Sequence, residues 1–199
     1  EAEKLEVQVL EIRKRIQGAE HPGTLTSMNN LALTYWNQGK LAEAEKLQVQ
    51  VLEIRKRIQG SEHPDTLTIM NNLALTYWNQ GKLTEAEKLQ VQVLEIRKRI
   101  QGAEHPDTLT IMSNLASTYW DQGKSTEAEK LEVQVLAISK RILGAEHPNT
   151  LTCMSNLAST YWNQGKSTEA EKLQVQVLEI RKRILGAEHP DTLSCMSNL

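Results

Sequence analysis

The sequence predicts an all-α solenoid, a fold made by stacking antiparallel pairs of helices. Three observations predict it. Tyr-Trp pairs begin at Tyr35, Tyr77, Tyr119 and Tyr161, a period of 42 residues. Within each period, apolar residues recur every three or four positions, as in an amphipathic helix. A glycine follows each such segment. A fixed period of about 20 to 50 residues is typical of stacked supersecondary units.

We expect a single repeat array over residues 1–199, with four full repeats and two partial ones. The full repeats cover residues 21–62, 63–104, 105–146 and 147–188. Residues 1–20 hold only a second helix, and residues 189–199 hold only the start of a first helix. Solenoids usually end in repeats with a polar outer face. Neither end resembles one, so the sequence is interpreted as an interior part of a longer protein.

The first helix of each repeat is expected to begin at a His-Pro pair. In the repeat of residues 63–104, Pro64 suits the first helical position, where its missing N–H has no partner to lose. Asp65 adds a negative charge in the first turn, where the helix dipole favours it. Gly81 is expected to end the helix in a left-handed conformation. The apolar stripe of this helix is Leu67, Met70, Leu73, Ala74 and Tyr77.

The second helix is expected to begin near Thr84 as its N-cap and to end before Gly102. It carries two apolar stripes. The first is Ala86, Leu89, Val93, Ile96 and Ile100, and the second is Leu83, Val91 and Leu94. Two stripes require two neighbours, and stacked helix pairs provide them in one continuous core. Since the connections are short, consecutive helices are predicted to be antiparallel.

The charge and apolar content exclude several classes of protein. The net charge is -2, from 23 basic and 25 acidic residues, which gives no general attraction to nucleic acid or to an anionic membrane. No apolar run approaches the about 20 residues of a membrane span. Cys153 and Cys195 lie at equivalent positions of successive repeats, too far apart for a disulfide. We therefore expect free thiols and an intracellular, cytoplasmic protein.

No motif predicts catalysis, a metal site or a cofactor. We recognise no nucleophile paired with a base and no glycine-rich loop that would bind phosphate. There is also no pair of carboxylates that would lie in a pocket. Each histidine is a lone residue before a proline, without a second ligand at metal spacing, which favours helix capping or loop packing. Basic clusters at Arg13, Arg55, Arg97 and Arg181 would suit phosphates, but Ser139 interrupts the series. We expect neither an enzyme nor a nucleic-acid partner.

The repeat resembles the tetratricopeptide repeat family. Leu73, Ala74, Tyr77, Gly81 and Ala86 match its signature without a gap. Met70, Gln90 and Val93 depart from it, and the 42-residue period exceeds the usual about 34. The longer unit, with Asn-Asn-Leu-Ala-x-x-Tyr, Glu-Ala-Glu and Gly-x-Glu-His-Pro-Asp, is similar to kinesin light chain repeats. It resembles still more the near-identical repeats at the C-terminal end of fungal NOD-like receptors.

This resemblance implies a right-handed superhelix whose concave groove, lined by the first helices, binds a peptide or protein partner. It also implies that the chain is the sensing region of a larger receptor. The family's groove positions correspond to Thr68 and its equivalents and to Asn29, Leu33, Trp36, Asn37, Asn71, Leu75, Trp78, Asn79, Ser113, Ser117, Trp120, Asp121, Ser155, Ser159, Trp162 and Asn163.

The repeats differ from one another at three of these groove positions. Asn29 and Leu33, for example, are replaced by serine in the repeats from residue 105 onward. Either the groove is diversified for recognition, or exposed positions have drifted because core packing does not constrain them. The four tryptophans likewise allow two interpretations. They are aromatic anchors for a partner, or they pack against the next repeat.

An alternative function is a structural spacer or a self-assembling element without a specific ligand. The helix of residues 1–17 and the partial helix after His189 each lack a neighbour at the ends of the array. Molecules could then stack head to tail through these uncapped ends, a contact that need not close.

Overall fold

The computed structural model describes residues 2–197, and side chains from residue 3 onward. These residues form ten helices and no strand, which confirms the all-α prediction. The helices are α1 (Ala2–Gln17), α2 (Pro22–Asn37), α3 (Leu41–Gln59), α4 (Pro64–Asn79), α5 (Leu83–Gln101), α6 (Pro106–Asp121), α7 (Ser125–Leu143), α8 (Pro148–Asn163), α9 (Ser167–Leu185) and α10 (Pro190–Ser197). The predicted ends of the array at Glu1, Asn198 and Leu199 lie outside the described residues.

The chain forms two compact units, Glu1–Ile100 and Gln101–Leu199. In the first unit, α1 packs on α2, α2 on α3, and α3 on α4. In the second, α6 packs on α7, α7 on α8, α8 on α9, and α9 on α10. Each of these helices contacts its neighbours along the chain, which is the stacking of an α-solenoid. The single array over residues 1–199, and its division into repeats, stay predictions.

The histidine before each proline is the N-cap of a first helix. His63 has an extended backbone, and its Nδ1 accepts a hydrogen bond from the Asp65 N–H at 3.2 Å. Pro64 occupies the first helical position. Equivalent bonds occur at His21, His105, His147 and His189. The interpretation of the histidines as helix caps is confirmed.

A glycine turn ends each first helix. Gly81 has a φ of 74°, and its N–H donates to Trp78 O at 2.9 Å. The N–H of Lys82 donates to Tyr77 O, also at 2.9 Å. These two bonds form the Schellman motif, which gives the last carbonyls of the helix their partners. The predicted helix end at Gly81 is confirmed.

The second helix begins one residue earlier than predicted. Helix α5 starts at Leu83, and the Ala86 N–H donates to Lys82 O at 3.1 Å. Thr84 therefore lies inside the first turn, and its prediction as the N-cap is wrong. The physical reason is that the Schellman turn finishes at Lys82, so the new helix starts directly after it.

The buried face of the second helix contains polar residues. In α5 it comprises Ala86, Gln90, Val93, Leu94 and Arg97. Gln90 and Arg97 were not predicted to be buried, because they do not belong to an apolar stripe. Ile100 was placed in the stripe, yet 51% of its side chain is exposed, since it lies in the last turn of the helix. The core is therefore a mixture of apolar contacts and enclosed polar groups.

Candidate functional site

The predicted groove residues lie on one face of the first helices. In α2, the residues Asn29, Leu33, Trp36 and Asn37 are spaced by four, seven and eight positions, which places them on a common side of the helix. The same spacing recurs in α4, α6 and α8. We call this side the first-helix face. In the first unit it is presented by α2 and α4, and in the second unit by α6 and α8.

None of the sixteen predicted groove residues is buried in the core. Trp36 and Trp78 are half-buried, whereas Trp120 and Trp162 are 42% and 56% exposed. Leu33 is 40% exposed. The first-helix face is thus accessible to a partner in each unit, and its most exposed aromatic side chains belong to the second unit.

Short side chains on this face bind to their own helix. Asn79 donates to Leu75 O at 2.8 Å, and Ser117 donates to Ser113 O at 3.2 Å. Ser159 donates to Ser155 O at 3.1 Å. These bonds hold the short side chains close to the backbone of their own helix.

A lysine links the end of each first helix to the preceding repeat. Lys82 Nζ lies 5.3 Å from the centre of the Tyr77 ring and 2.8 Å from Glu45 Oε2. Gln80 donates to the same carboxylate oxygen at 2.9 Å. Burial opposes ionisation of Glu45, but the hydrogen bonds from Lys82 and Gln80 prevail and lower its pKa. Lys40–Glu3 and Lys166–Glu129 repeat the pairing.

The arginine clusters take part in contacts within the chain. Arg55 is buried, and its Nη1 donates to Asp65 Oδ2 at 2.5 Å, which joins α3 to the start of α4. Arg57 pairs with Glu20 in the preceding connection. The first and third residues of this cluster, Arg55 and Arg57, therefore have structural roles. The basic clusters that would suit phosphates form contacts within the chain instead.

A cavity of about 390 Å³ opens between α6, α7 and α8 in the second unit. We call it the α6–α8 cavity. Ser139 lines it at the position that Arg55 occupies in α3. Cys153 also lines it and contacts Ser139, with 3.9 Å between Sγ and Oγ. Both cysteines are free thiols, as predicted, and burial raises the pKa of Cys153.

A buried carboxyl group lies beside this cavity. Glu132 is 9% exposed, and its Oε2 has no hydrogen-bond partner among the described residues. Its pKa is raised to about 7, mainly by burial; a hydrogen bond with the Thr160 side chain opposes this rise, and the Glu129 carboxylate adds to it. Such a perturbed acid in a recess is a feature of functional sites as well as of structural networks. Neither Glu132 nor the cavity was predicted.

Two further properties concern metals and membranes. Among residues 2–197, no group of three or more His, Cys, Asp or Glu side chains is arranged to hold a metal ion. None of the described helices combines the length and the apolar character that a membrane crossing requires.

Models of the tetratricopeptide repeat match residues 1–57, 29–99 and 65–141, and a second model of that repeat matches residues 150–191. These matches cover most of the sequence. The chain belongs to the tetratricopeptide repeat family. Tetratricopeptide repeats form non-catalytic scaffolds that mediate interactions between proteins, so the coarse prediction of an interaction scaffold is confirmed.

Solved structures of tetratricopeptide repeat arrays resemble this one. Two crystal structures, one of them of a variant, are of a Podosopora anserina protein described as a kinesin light chain with nearly identical TPR-like repeats. Both are 36% identical to this chain over 92% of its length and 86% of theirs, with TM-scores of 0.84 and 0.82. The similarity to kinesin light chain repeats is confirmed. Among curated proteins, none matches this chain.

More distant structures share the fold alone. BtubC from P. vanneervenii is 23% identical, with a TM-score of 0.81 over 95% of this chain and 75% of its own. RapI in its apo form is 13% identical, with a TM-score of 0.74 over 96% of this chain and 51% of its own. A tetratricopeptide repeat solenoid is therefore compatible with very different sequences.

The α6–α8 cavity has a signal in the sequence. At or just behind it lie Glu132, Ser139 and Asn149, and the positions 42 residues earlier hold Gln90, Arg97 and Asp107. Three polar positions change together, although they lie seven and ten residues apart. The coincidence becomes meaningful only once the fold shows that Ser139 and Asn149 line the cavity and that Glu132 lies behind its inner wall.

Proposed function

We propose that this tetratricopeptide repeat array binds a peptide or protein segment on its first-helix face. By the resemblance of its repeats, it serves as the sensing region of a larger cytoplasmic receptor of the NOD-like type. The observation that carries the proposal is the exposure of Trp120 and Trp162 at equivalent places of successive first helices in the second unit. Large aromatic side chains are enriched among residues that dominate binding energy.

The surroundings of the tryptophans support a graded specificity. In the first unit they have Leu33 and Leu75 one turn earlier, whereas in the second unit they have Ser117 and Ser159. The first unit therefore presents a more apolar surface and the second a more polar one.

The test is capture of peptides from a random library by the full chain, beside the double variant Trp120→Ala and Trp162→Ala. Because both side chains are substantially exposed, the variant is expected to keep its helical circular dichroism. The matched control is Val133→Ala, which removes a side chain of comparable exposure from a second helix. We expect captured peptides to lose binding about tenfold or more in the tryptophan variant alone.

Equal binding by the tryptophan variant and the control would contradict the proposal. A large loss of stability in the tryptophan variant, with binding retained, would show that these side chains are structural. Replacing a buried tryptophan by alanine typically lowers the free energy of unfolding by about 3 to 5 kcal/mol.

A second candidate function, head-to-tail self-association, is favoured by one observation. Helix α1 exposes Leu5, Val9, Ile12 and Ile16 as a stripe, whereas the residue equivalent to Val9 in α3, Val51, is buried. A further repeat or a second copy of the chain would cover this stripe. Small-angle scattering at rising protein concentration tests self-association, and a constant monomeric mass would contradict it.

A further inference from the structure

The α6–α8 cavity occurs where a long side chain is replaced by a short one. In the first unit, the Arg55 side chain fills the space between α3 and the start of α4 and donates to Asp65. In the second unit the equivalent residues are Ser139 and Asn149, and both line the cavity. The guanidinium group and the carboxylate that held it are both missing from this repeat.

The walls of the cavity are largely apolar. Leu109, Val135, Ile142 and Leu143 contribute to them. Leu109 is half-buried, although the equivalent Leu67 of the first unit is buried. The space left by arginine therefore exposes aliphatic surface that α2, α4 and α8 enclose at the equivalent leucine. A ligand that fits here needs an aliphatic part to cover this surface.

An acid lies behind the inner end of the cavity. Glu132 lines a void of about 10 Å³, whose other lining residues are Ser113, Val135, Cys153 and Asn156. All four also line the α6–α8 cavity, so the carboxyl group lies directly behind its inner wall. Its Oε2 is enclosed and has no hydrogen-bond partner among the described residues. A buried carboxylate with one unpartnered oxygen favours a cation that approaches it.

The net charge of these equivalent residues also differs between the two places, and the difference likewise favours a cation. In the first unit, Gln48, Arg55 and Asp65 together carry no net charge, because the arginine balances the aspartate. In the second unit, Glu132 with Ser139 and Asn149 carries one negative charge when the acid is ionised. Glu104, at the cavity, is already paired with Arg141. The cavity thus lacks one positive charge.

We propose that the α6–α8 cavity binds an aliphatic cation, namely the lysine or arginine side chain of a peptide partner. The methylene groups pack on Val135 and Ile142, and the ammonium or guanidinium group donates to Glu132. Thr110 and Thr152 lie at the cavity on positions predicted to face the groove. The inference therefore rests on the proposed peptide-binding function and specifies one feature of the peptide.

The test uses n-butylammonium and n-butylguanidinium as probes and n-butanol as their neutral counterpart. Backbone amide chemical shifts of Ser139, Asn149 and Cys153 in the full chain report occupancy. Glu132→Gln and Ser139→Arg are informative variants, because each restores the residue that Gln48 or Arg55 provides elsewhere, and each is therefore expected to fold. The first removes the acid, and the second fills the cavity.

We expect both cationic probes to shift these amide signals. Butanol should bind at least about tenfold more weakly than either probe. Glu132→Gln should lower the affinity for the cationic probes by a similar factor, and Ser139→Arg should abolish their binding. Equal shifts with butanol, or shifts that neither variant changes, would overturn the inference.

A second arm separates this inference from the proposed function. Peptides captured by the chain are resynthesised with norleucine in place of lysine and citrulline in place of arginine. A loss of binding that Ser139→Arg reproduces supports the inference. If captured peptides bind equally well without their cations, the inference is wrong while the proposed function stands. If the probes bind but no peptide is captured, the claim that the cation belongs to a peptide is wrong, and the cavity accepts a free amine instead.

Discussion

Thr76 Oγ1 donates a hydrogen bond to Gln48 Oε1 at 2.7 Å in the interior between α4 and α3. The equivalent pair in the second unit is Thr160 and Glu132, where a carboxyl group replaces the amide. There, Glu132 Oε2 has no hydrogen-bond partner among the described residues. The same helix packing therefore encloses an amide whose oxygen accepts a hydrogen bond in one unit and a carboxyl group with one unsatisfied oxygen in the other.

This difference predicts a pH-dependent stability of the second unit. Since burial raises the pKa of Glu132 from 4.5 to about 7, the folded state binds the proton more tightly than the unfolded state. Its contribution is therefore favourable below about pH 4.5 and is lost as the pH rises to about 7. The loss amounts to at most about 3 kcal/mol. Urea unfolding at a series of pH values between these limits measures it.

The matched control for this prediction is Glu132→Gln. It restores the amide of Gln48, so it should stabilise the chain at neutral pH and flatten the pH dependence. The Glu129 carboxylate, the Cys153 thiol and the Tyr161 hydroxyl are other titratable groups that act near Glu132. An unchanged pH dependence in Glu132→Gln would show that another group causes it.

Gly23→Asp is expected to stabilise the first unit. Arg13 Nη1 now donates to Gly23 O at 2.6 Å, whereas its equivalent Arg55 donates to an aspartate. The new Cβ would approach Gln17, His21 and Arg13 at 3.1 to 3.5 Å, all through flexible side chains. An aspartate adds helix propensity, a favourable charge in the first turn and a partner for Arg13. We expect a gain of about 1 kcal/mol in the free energy of unfolding.

Gly23→Asn separates the charge from the other effects of that substitution. It provides a similar side chain without the negative charge. If Gly23→Asn stabilises the chain as much as Gly23→Asp in low salt, the arginine pair contributes nothing.

Gly81→Ala should destabilise the turn between α4 and α5. The glycine has a φ of 74°, and no atom lies within 4 Å of the position a Cβ would take. The cost is therefore confined to the backbone and amounts to about 1 to 2 kcal/mol. Gly81→Asn should cost less, because asparagine tolerates this conformation better. Chemical unfolding measures both, and equal stability of Gly81→Ala and the parent would contradict the prediction.

The Arg55 and Asp65 pair should show a measurable coupling. Arg55→Ser removes a buried side chain and leaves a space like the α6–α8 cavity, at an expected cost of about 2 kcal/mol. Asp65→Asn alone should cost less, because Asp65 is exposed. The double variant reproduces the Ser139 and Asn149 combination. A double-mutant cycle of unfolding free energies should give a coupling of about 1 kcal/mol, and strict additivity would contradict it.

The parts of the fold that depend on local chemistry were predictable from the sequence. Pro64 and Gly81 determine where a first helix begins and ends through their own backbone preferences. The start of α5 was misplaced by one residue, because the hydrogen bonds of the preceding turn determine it. Gln90 and Arg97 were missed because apolar periodicity does not detect polar side chains that are buried. Such burial depends on partners in other helices.

The candidate site was predictable to a similar degree. The resemblance to the family's groove positions placed Trp120 and Trp162 on one face, and both side chains are exposed there. Their role in binding stays a prediction, because exposure does not identify a partner. The α6–α8 cavity could not be found from the sequence, since the contact between the positions of Arg55 and Asp65 crosses from one helix to the next. Only that contact relates the changes at Ser139 and Asn149.

The pairing of Lys82 with Glu45 spans 37 residues and joins successive repeats. Lys40–Glu3 and Lys166–Glu129 span the same distance. If one whole period is gained or lost within a unit, the new junction brings together the same lysine and the same glutamate. Insertion of a fraction of a period would break the pair instead. The copy number of the repeat can therefore change in steps of 42 residues while this lysine–glutamate pair is kept.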